Sequence, residues 1–262
     1  MNDLIAELER LVGVKCQLYA DDLVLWTETP KYHAEAILSI ALDILDHWCQ
    51  DNMKNMLEGN LSVLFLGSSD TISSSLNYLL RLMCKYTEIQ DKVYSEVIEA
   101  VGKDGKVRHE DKSKVPYTFA VMMEMQRFAS IVRLSTTRKA VQDIPVRGYV
   151  IPKGADITAN LWALHHDPEY WDKPDEFQPE RFLTDDGTKL IKQLPSYAPF
   201  SVGKRNCPGE TIAWMGILSY FTEIVKNFEI SVAPGKKLEY KEVGSLVMRL
   251  EPQPLCFIPR NN

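Results

Sequence analysis

The chain has 262 residues, of which 45% are hydrophobic and 25% are charged. This ordinary globular composition excludes a disordered, collagen-like or disulfide-scaffold protein. The net charge is −6, and residues 1–56 carry all of it, because they hold 10 acidic and 4 basic side chains. The sequence contains no apolar run of about 18 residues, so it predicts no membrane span. The first residues do not have the pattern of a signal peptide.

The five cysteines are scattered and include no Cys-x-x-Cys pair. This usage favours a reducing compartment over a disulfide framework. The uneven charge favours two parts of different origin.

The first part of the chain predicts a strand, a turn, a second strand and a helix. Residues 14–19 and 23–27 are strand-like, and Asp21 and Asp22 separate them. Pro30 then opens a segment whose apolar residues recur at helical spacing.

From about residue 57 the sequence predicts three successive helices. The first covers residues 61–83, where a polar stretch at 67–71 interrupts the apolar pattern. Thr87 and Gln90 form a capping-box pattern at the start of the second helix. The third helix covers residues 116–129 and begins at a proline.

The remainder predicts short strands, an irregular segment and one more long helix. Residues 137–160 alternate around glycines in the manner of short strands. Residues 165–200 are rich in Pro, Asp and Gly and predict irregular structure. The last helix covers residues 208–226, and short strands follow it. The predicted fold class is mainly α with small β-sheets (α+β).

Residues 200–209, here named the cysteine loop, read Phe-Ser-Val-Gly-Lys-Arg-Asn-Cys-Pro-Gly. The helix that begins after Cys207 would stabilise a thiolate through its dipole and free N–H groups. Gly203 and Gly209 would let the backbone approach a flat ligand, and Arg205 could pair with an acidic group of that ligand. A thiolate that pushes electron density onto iron is what haem oxygen activation requires. An inert buried cysteine would not explain the coincidence of these features.

The pattern Phe-x-x-Gly-x-Arg-x-Cys-x-Gly resembles the haem-binding loop of the cytochrome P450 monooxygenases. Glu124 and Arg127 resemble the family's Glu-x-x-Arg motif, and residues 177–182 resemble its meander signature. On a helix the Glu and Arg share one face, where a surface pair alone would mean little. The resemblance implies that they join Arg181 in a buried ion triad that holds the cysteine loop, a structural role.

The resemblance further implies haem b as the cofactor, with Cys207 as the axial ligand of the iron. The other residues that it places around the haem are Phe200, Gly203, Arg205 and Gly209. Arg138 stands where many relatives bind a haem propionate, and a plain surface arginine is an open alternative. A small organic substrate, an NADPH-dependent reductase and the cytosolic face of the endoplasmic reticulum membrane are implied as well.

Residues 66–71, Leu-Gly-Ser-Ser-Asp-Thr, resemble the Ala-Gly-x-Asp-Thr motif of the family's distal helix. The resemblance makes Asp70 and Thr71 an acid–alcohol pair that relays protons during oxygen activation. Ser68 stands where the family has glycine. The alternative is a polar stretch of a buried helix whose hydroxyls bond back to carbonyls.

Residues 1–56 do not share this resemblance. Tyr19, Asp21 and Asp22 form a Tyr-x-Asp-Asp pattern that resembles the catalytic hairpin of reverse transcriptases, in which paired carboxylates hold divalent metal. The segment is acidic and lacks the rest of that machinery, so we expect neither polymerase chemistry nor nucleic-acid binding. The predicted domains are a reverse-transcriptase-like palm fragment, residues 1–56, and the C-terminal half of the cytochrome P450 fold, residues 57–262.

Three functional hypotheses follow. The first is a haem-thiolate monooxygenase that inserts one oxygen atom of O2 into an organic substrate. The second is an inactive chimera of a retroelement fragment and a monooxygenase fragment, and the third is a reverse transcriptase remnant. We expect the chain to lack a membrane anchor and to be cytoplasmic. We also expect it to be inactive, because the N-terminal half of the family's fold, which forms the roof of the substrate pocket, is missing from it.

Overall fold

A computed structural model describes residues 14–19, 22–27, 61–191, 194–244 and 246–260. The helices are α1 (Leu61–Lys85), α2 (Thr87–Val101), α3 (Pro116–Ala129), α4 (Leu161–His166) and α5 (Glu210–Asn227). The strands are β1 (Val14–Tyr19), β2 (Asp22–Thr27), β3 (Arg138–Lys139), β4 (Ile144–Val146), β5 (Tyr149–Ile151), β6 (Asp156–Ile157), β7 (Phe228–Val232), β8 (Glu242–Gly244), β9 (Met248–Leu250) and β10 (Leu255–Pro259). Three 3-10 turns cover His109–Lys114, Pro179–Phe182 and Gly203–Arg205.

The described strands form antiparallel pairs: β1 with β2, β3 with β6, β4 with β5, β7 with β10, and β8 with β9. Helices with small two-stranded sheets confirm the predicted α+β class. The strands β1 and β2 match the two strands predicted in the first part of the chain, with Tyr19 opposite Asp22. The helix predicted after Pro30 lies outside the described residues.

Four helices, α1, α2, α3 and α5, pack around one hydrophobic core. Their fully or almost fully buried side chains recur at helical spacing, as the apolar pattern predicts. They include Leu79, Leu82, Met83, Val93, Val97, Met122, Met125, Ile217 and Phe221. Burial of each such side chain stabilises the fold by about 1.5–3 kcal/mol before entropy is subtracted.

The helix α1 is continuous through residues 67–71, the polar stretch that interrupts the apolar pattern. The Thr71 hydroxyl donates to the carbonyl of Gly67 at 2.9 Å, and the Ser75 hydroxyl donates to the carbonyl of Thr71 at 2.8 Å. These polar side chains satisfy themselves on the preceding turn, which leaves the helical backbone intact.

Gln90 does not take part in a capping box, because Tyr86 is the residue before α2 and no side chain caps the helix. The buried amide of Gln90 instead donates to the carbonyls of Met83, at 3.1 Å, and Ile230, at 3.0 Å. Its oxygen accepts the Ile230 N–H at 2.6 Å. Gln90 therefore joins α2 to α1 and β7, because a buried amide has to be hydrogen-bonded.

The helix α4, Leu161–His166, was not predicted from the sequence, which favoured irregular structure from residue 165. The last helix begins at Glu210, which leaves Pro208 in the preceding turn.

Within the part of the chain that the structure describes, no helix combines the length and apolar character needed to cross a membrane.

Replacement of Gln90 by methionine tests its internal role. The variant keeps the volume but leaves the Ile230 N–H without its acceptor, so the free energy of unfolding should fall by on the order of 1–3 kcal/mol. Ser95→Ala, at an exposed position of α2, is the control and should stay within about 0.5 kcal/mol of the parent. Urea unfolding measures both, and equal stability of the two variants would refute the role.

Candidate functional site

The structure brings Glu124, Arg127 and Arg181 together. The carboxylate of Glu124 accepts from Arg127 Nε at 2.6 Å and from Arg127 Nη2 at 2.8 Å, and both side chains are fully buried. Arg181 Nε lies 3.4 Å from Glu124 Oε1 without hydrogen-bond geometry, while its Nη2 donates to the Lys173 carbonyl at 2.9 Å. We name these three side chains the ion cluster.

The ion cluster also fixes the irregular backbone around it. Arg127 donates to the carbonyls of His165, at 2.8 Å, and Glu176, at 3.2 Å. The Gln178 N–H donates to Glu124 Oε1 at 2.9 Å. Burial raises the pKa of Glu124, and its contacts with Arg127 and the Gln178 N–H oppose that shift. The segment from α4 to the meander is thus held by charge-assisted hydrogen bonds rather than by regular secondary structure.

Cys207 is exposed, and its backbone is held within the cysteine loop. The Cys207 N–H donates to the Phe200 carbonyl at 2.9 Å, and the Ser201 N–H donates to the Ala198 carbonyl at 3.0 Å. Ser201 and Gly203 have φ of +64° and +79°, in the left-handed region. A serine in that region costs energy and needs outside support.

Arg138 supplies part of that support. It donates from Nη2 to Ser201 Oγ at 2.8 Å and to the Arg205 carbonyl at 3.1 Å. The side chains of Lys204 and Arg205 are exposed beside it. Arg138 thus reaches the loop that carries Lys204 and Arg205, and such cationic side chains suit carboxylate groups of a ligand.

Aromatic rings join the cysteine loop to the core. Phe200 packs edge-on against Trp214 of α5, with ring centroids 5.2 Å apart. Trp214 in turn contacts Phe119 of α3 at 4.9 Å. Gly209 precedes α5 without a capping side chain, so the free N–H groups of this helix begin next to Cys207.

Asp70 has a partner that the sequence did not reveal. Asp70 forms an ion pair with Arg249 of β9, and both side chains are about half exposed, at 53%. The Thr71 hydroxyl points back along α1. Next to it, Ile72 Cδ1 lies 3.5 Å from the Cβ position of Gly216 on α5, so α1 and α5 meet beside the pair. Arg249 has no local sequence signal, because 179 residues separate it from Asp70.

The cysteine loop and the residues of α1 near Thr71 fit a haem in three respects. Cys207 is accessible. A Cβ added at Gly203, or at Gly67 one turn before Thr71, would meet nothing within 4 Å, so the backbone at each glycine borders open space. The cations at the loop are matched to carboxylates such as propionates.

A family model, Cytochrome P450, matches residues 43–257. The chain belongs to the cytochrome P450 family. It is 37% identical to Cytochrome P450 2A9 of Mesocricetus auratus over 212 residues, which cover 80% of this chain and 41% of that protein. It is 34% identical to Cytochrome P450 2A6 of Homo sapiens, over 79% of this chain and 42% of that protein.

Among solved structures, a zebrafish cytochrome P450 determined with abiraterone matches with a TM-score of 0.69 and 28% identity. The match covers 77% of this chain and 47% of that one. This P450 chain thus spans about two fifths of the length of the curated relatives it matches. The family match begins upstream of the predicted boundary at residue 57, and the boundary itself stays a prediction.

Replacement of Arg127 by methionine should be strongly destabilising. It leaves the buried Glu124 charge with Arg181 as its remaining cationic partner in the cluster, and the expected cost is on the order of 3–5 kcal/mol. Lys139→Met is the control, since Lys139 pairs with Asp156 at 3.4 Å while both side chains are more than half exposed. The control should cost less than about 1 kcal/mol. Similar unfolding midpoints for both variants would show that the ion cluster does not hold the fold.

We expect the free energy of unfolding to depend on pH because of His165. Burial lowers the pKa of His165 from 6.5 to about 4, and the nearby charges of His166 and Arg127 add to this. As the pH falls from 6.5 to 4, the unfolded chain takes up a proton that the folded chain resists, so stability is lost in this window. Over this window the free energy of unfolding falls by about 3 kcal/mol. A His165→Gln variant should lack this component, and parallel pH curves in urea unfolding would contradict the assignment.

Proposed function

We propose that this P450 chain is the haem-ligating part of a haem-thiolate monooxygenase, with Cys207 as the ligand of the iron. One observation carries the proposal: an accessible cysteine in a loop whose backbone is fixed by a neighbouring arginine, by aromatic packing and by its own turns. Membership of the family supports the same chemistry. When bound, a haem with a thiolate ligand supplies the activation of O2 for insertion into an organic substrate.

The residues of the cysteine loop would divide the work of holding this cofactor. Cys207 would supply the thiolate, and Gly203 and Gly209 would admit the flat ring to the backbone. Arg138 and Arg205 would bind its carboxylates. Phe200 would keep the loop against α5 through Trp214 and so fix the sulfur relative to the helix.

Asp70 and Thr71 would serve proton transfer. The half-exposed carboxylate of Asp70 can collect a proton from water, and Thr71 Oγ1 can pass one on. The ion pair with Arg249 holds the Asp70 carboxylate in place. In this arrangement Asp70 and Thr71 act as a proton relay rather than as a binding site for substrate.

Three further proposals rest on the family alone. A small organic substrate and an NADPH-dependent reductase are the expected partners, and the cytosolic face of the endoplasmic reticulum membrane is the expected place. The resemblance of residues 1–56 to reverse transcriptases likewise stays a prediction. No observation on the described residues favours the inactive chimera or the polymerase remnant over the monooxygenase.

The test uses the whole chain loaded with haem. Reduced with dithionite and exposed to carbon monoxide, it should give the absorption band typical of a thiolate ligand. Cys207→Ser should abolish that band. Cys256→Ser, at a half-buried cysteine of β10, is the matched control and should retain it. A thiolate-type band in the Cys207 variant, or none in the parent chain, would overturn the proposal.

A further inference from the structure

His165 lies at the end of α4, between the ion cluster and the start of the cysteine loop. Its side chain is 1% exposed. The Ser130 hydroxyl lies 2.8 Å from His165 Nδ1 and donates its proton to the Arg127 carbonyl at 2.9 Å. The Ala198 N–H donates to His165 Nε2 at 3.1 Å.

These contacts fix the tautomer of the ring. Because Ser130 uses its single proton on the Arg127 carbonyl, its oxygen must accept from His165 Nδ1, which therefore carries the proton. The other nitrogen, Nε2, is the acceptor for the Ala198 N–H. The ring is neutral and both nitrogens are satisfied, which is what a buried imidazole requires.

Ala198 is the point at which the cysteine loop departs from the core. Its N–H is held by His165, and its carbonyl accepts the Ser201 N–H at 3.0 Å. Phe200, between them, accepts from the Cys207 N–H at 2.9 Å. A continuous series of hydrogen bonds therefore runs from His165 to the backbone of Cys207.

The other end of His165 is held by the ion cluster. Arg127 Nη1 donates to the His165 carbonyl at 2.8 Å, and Ser130 follows α3 with left-handed dihedral angles, φ 40° and ψ 60°. We propose that His165 is a positioning residue of the cysteine loop, which transmits the position of the ion cluster to Cys207 through the Ala198 N–H. The inference rests on the proposed function of Cys207.

The neighbouring His166 provides the contrast. Its ring is stacked on Trp162, with centroids 4.6 Å apart, and its Nδ1 lies 3.0 Å from the Trp162 carbonyl in its own helix. Neither contact leads to the cysteine loop. Two adjacent histidines thus offer one position that should affect the thiolate and one that should not.

Three variants of the full chain, each loaded with haem, separate positioning from packing. In His165→Gln the amide oxygen can reach the place of Nε2 and accept from Ala198. In His165→Asn the shorter amide reaches only the Ser130 side. His166→Gln is the matched control.

The readout is the rate at which the thiolate-type carbon monoxide complex converts to a form without the thiolate. The Asn variant should convert roughly tenfold faster than the parent, the factor that corresponds to one lost hydrogen bond of ordinary strength. The Gln variant and the His166 control should stay within about threefold of the parent. Equal rates for the Asn and Gln variants, whether fast or slow, would overturn the inference.

Two measurements without haem keep this result separate from the proposed function. Nitrogen chemical shifts of His165 should report a proton on Nδ1, and a proton on Nε2 would contradict the inference. Amide exchange at Ala198 should be faster in the Asn variant than in the Gln variant. If the parent chain gave no thiolate band while both measurements agreed, the proposed function would fail and the positioning contact would stand.

Discussion

The carboxylate of Glu124 is buried among helices, and the arrangement of the site depends on how that charge is neutralised. A buried carboxylate without partners would cost several kcal/mol, so its neighbours have to converge on it. Arg127 supplies two donors, Arg181 supplies a second positive charge, and the Gln178 backbone supplies an N–H. Because these groups come from α3 and from the irregular segment after α4, satisfying one charge fixes a long stretch of chain without regular secondary structure.

The same interaction connects the fold to its chemistry. Arg127 has donors left over after it pairs with Glu124, and these hold the carbonyls of His165 and Glu176. The ring of His165 then reaches Ala198, two residues before the cysteine loop. In addition, Phe200 is packed on Trp214 of α5. The thiol is accessible, but the backbone that carries it is anchored at several points, which is what a ligand loop needs for a defined geometry.

Local patterns predicted the helices of the core and the cysteine loop, because apolar spacing and turn residues act within a few positions. The Glu124–Arg127 spacing predicted a shared helix face, and only the family resemblance implied burial and a third partner. The contacts of Gln90 with Ile230, of His165 with Ala198 and of Arg249 with Asp70 were not predictable, since these partners are distant in sequence. Gln90 shows most clearly why a local pattern can mislead. The spacing of Thr87 and Gln90 fits a capping box, but the Gln90 amide turns inward and binds Ile230 of β7, 140 residues away.

The central claim, that the ion cluster holds the cysteine loop, is tested most directly by hydrogen–deuterium exchange in an Arg127→Lys variant. Lysine keeps the charge beside Glu124 but lacks the planar fork that reaches the two carbonyls. The account predicts faster amide exchange at residues 196–209, far beyond the site of substitution in the sequence, while the buried turns of α1 stay protected. Faster exchange confined to α3 and the meander, with the cysteine loop unchanged, would contradict it.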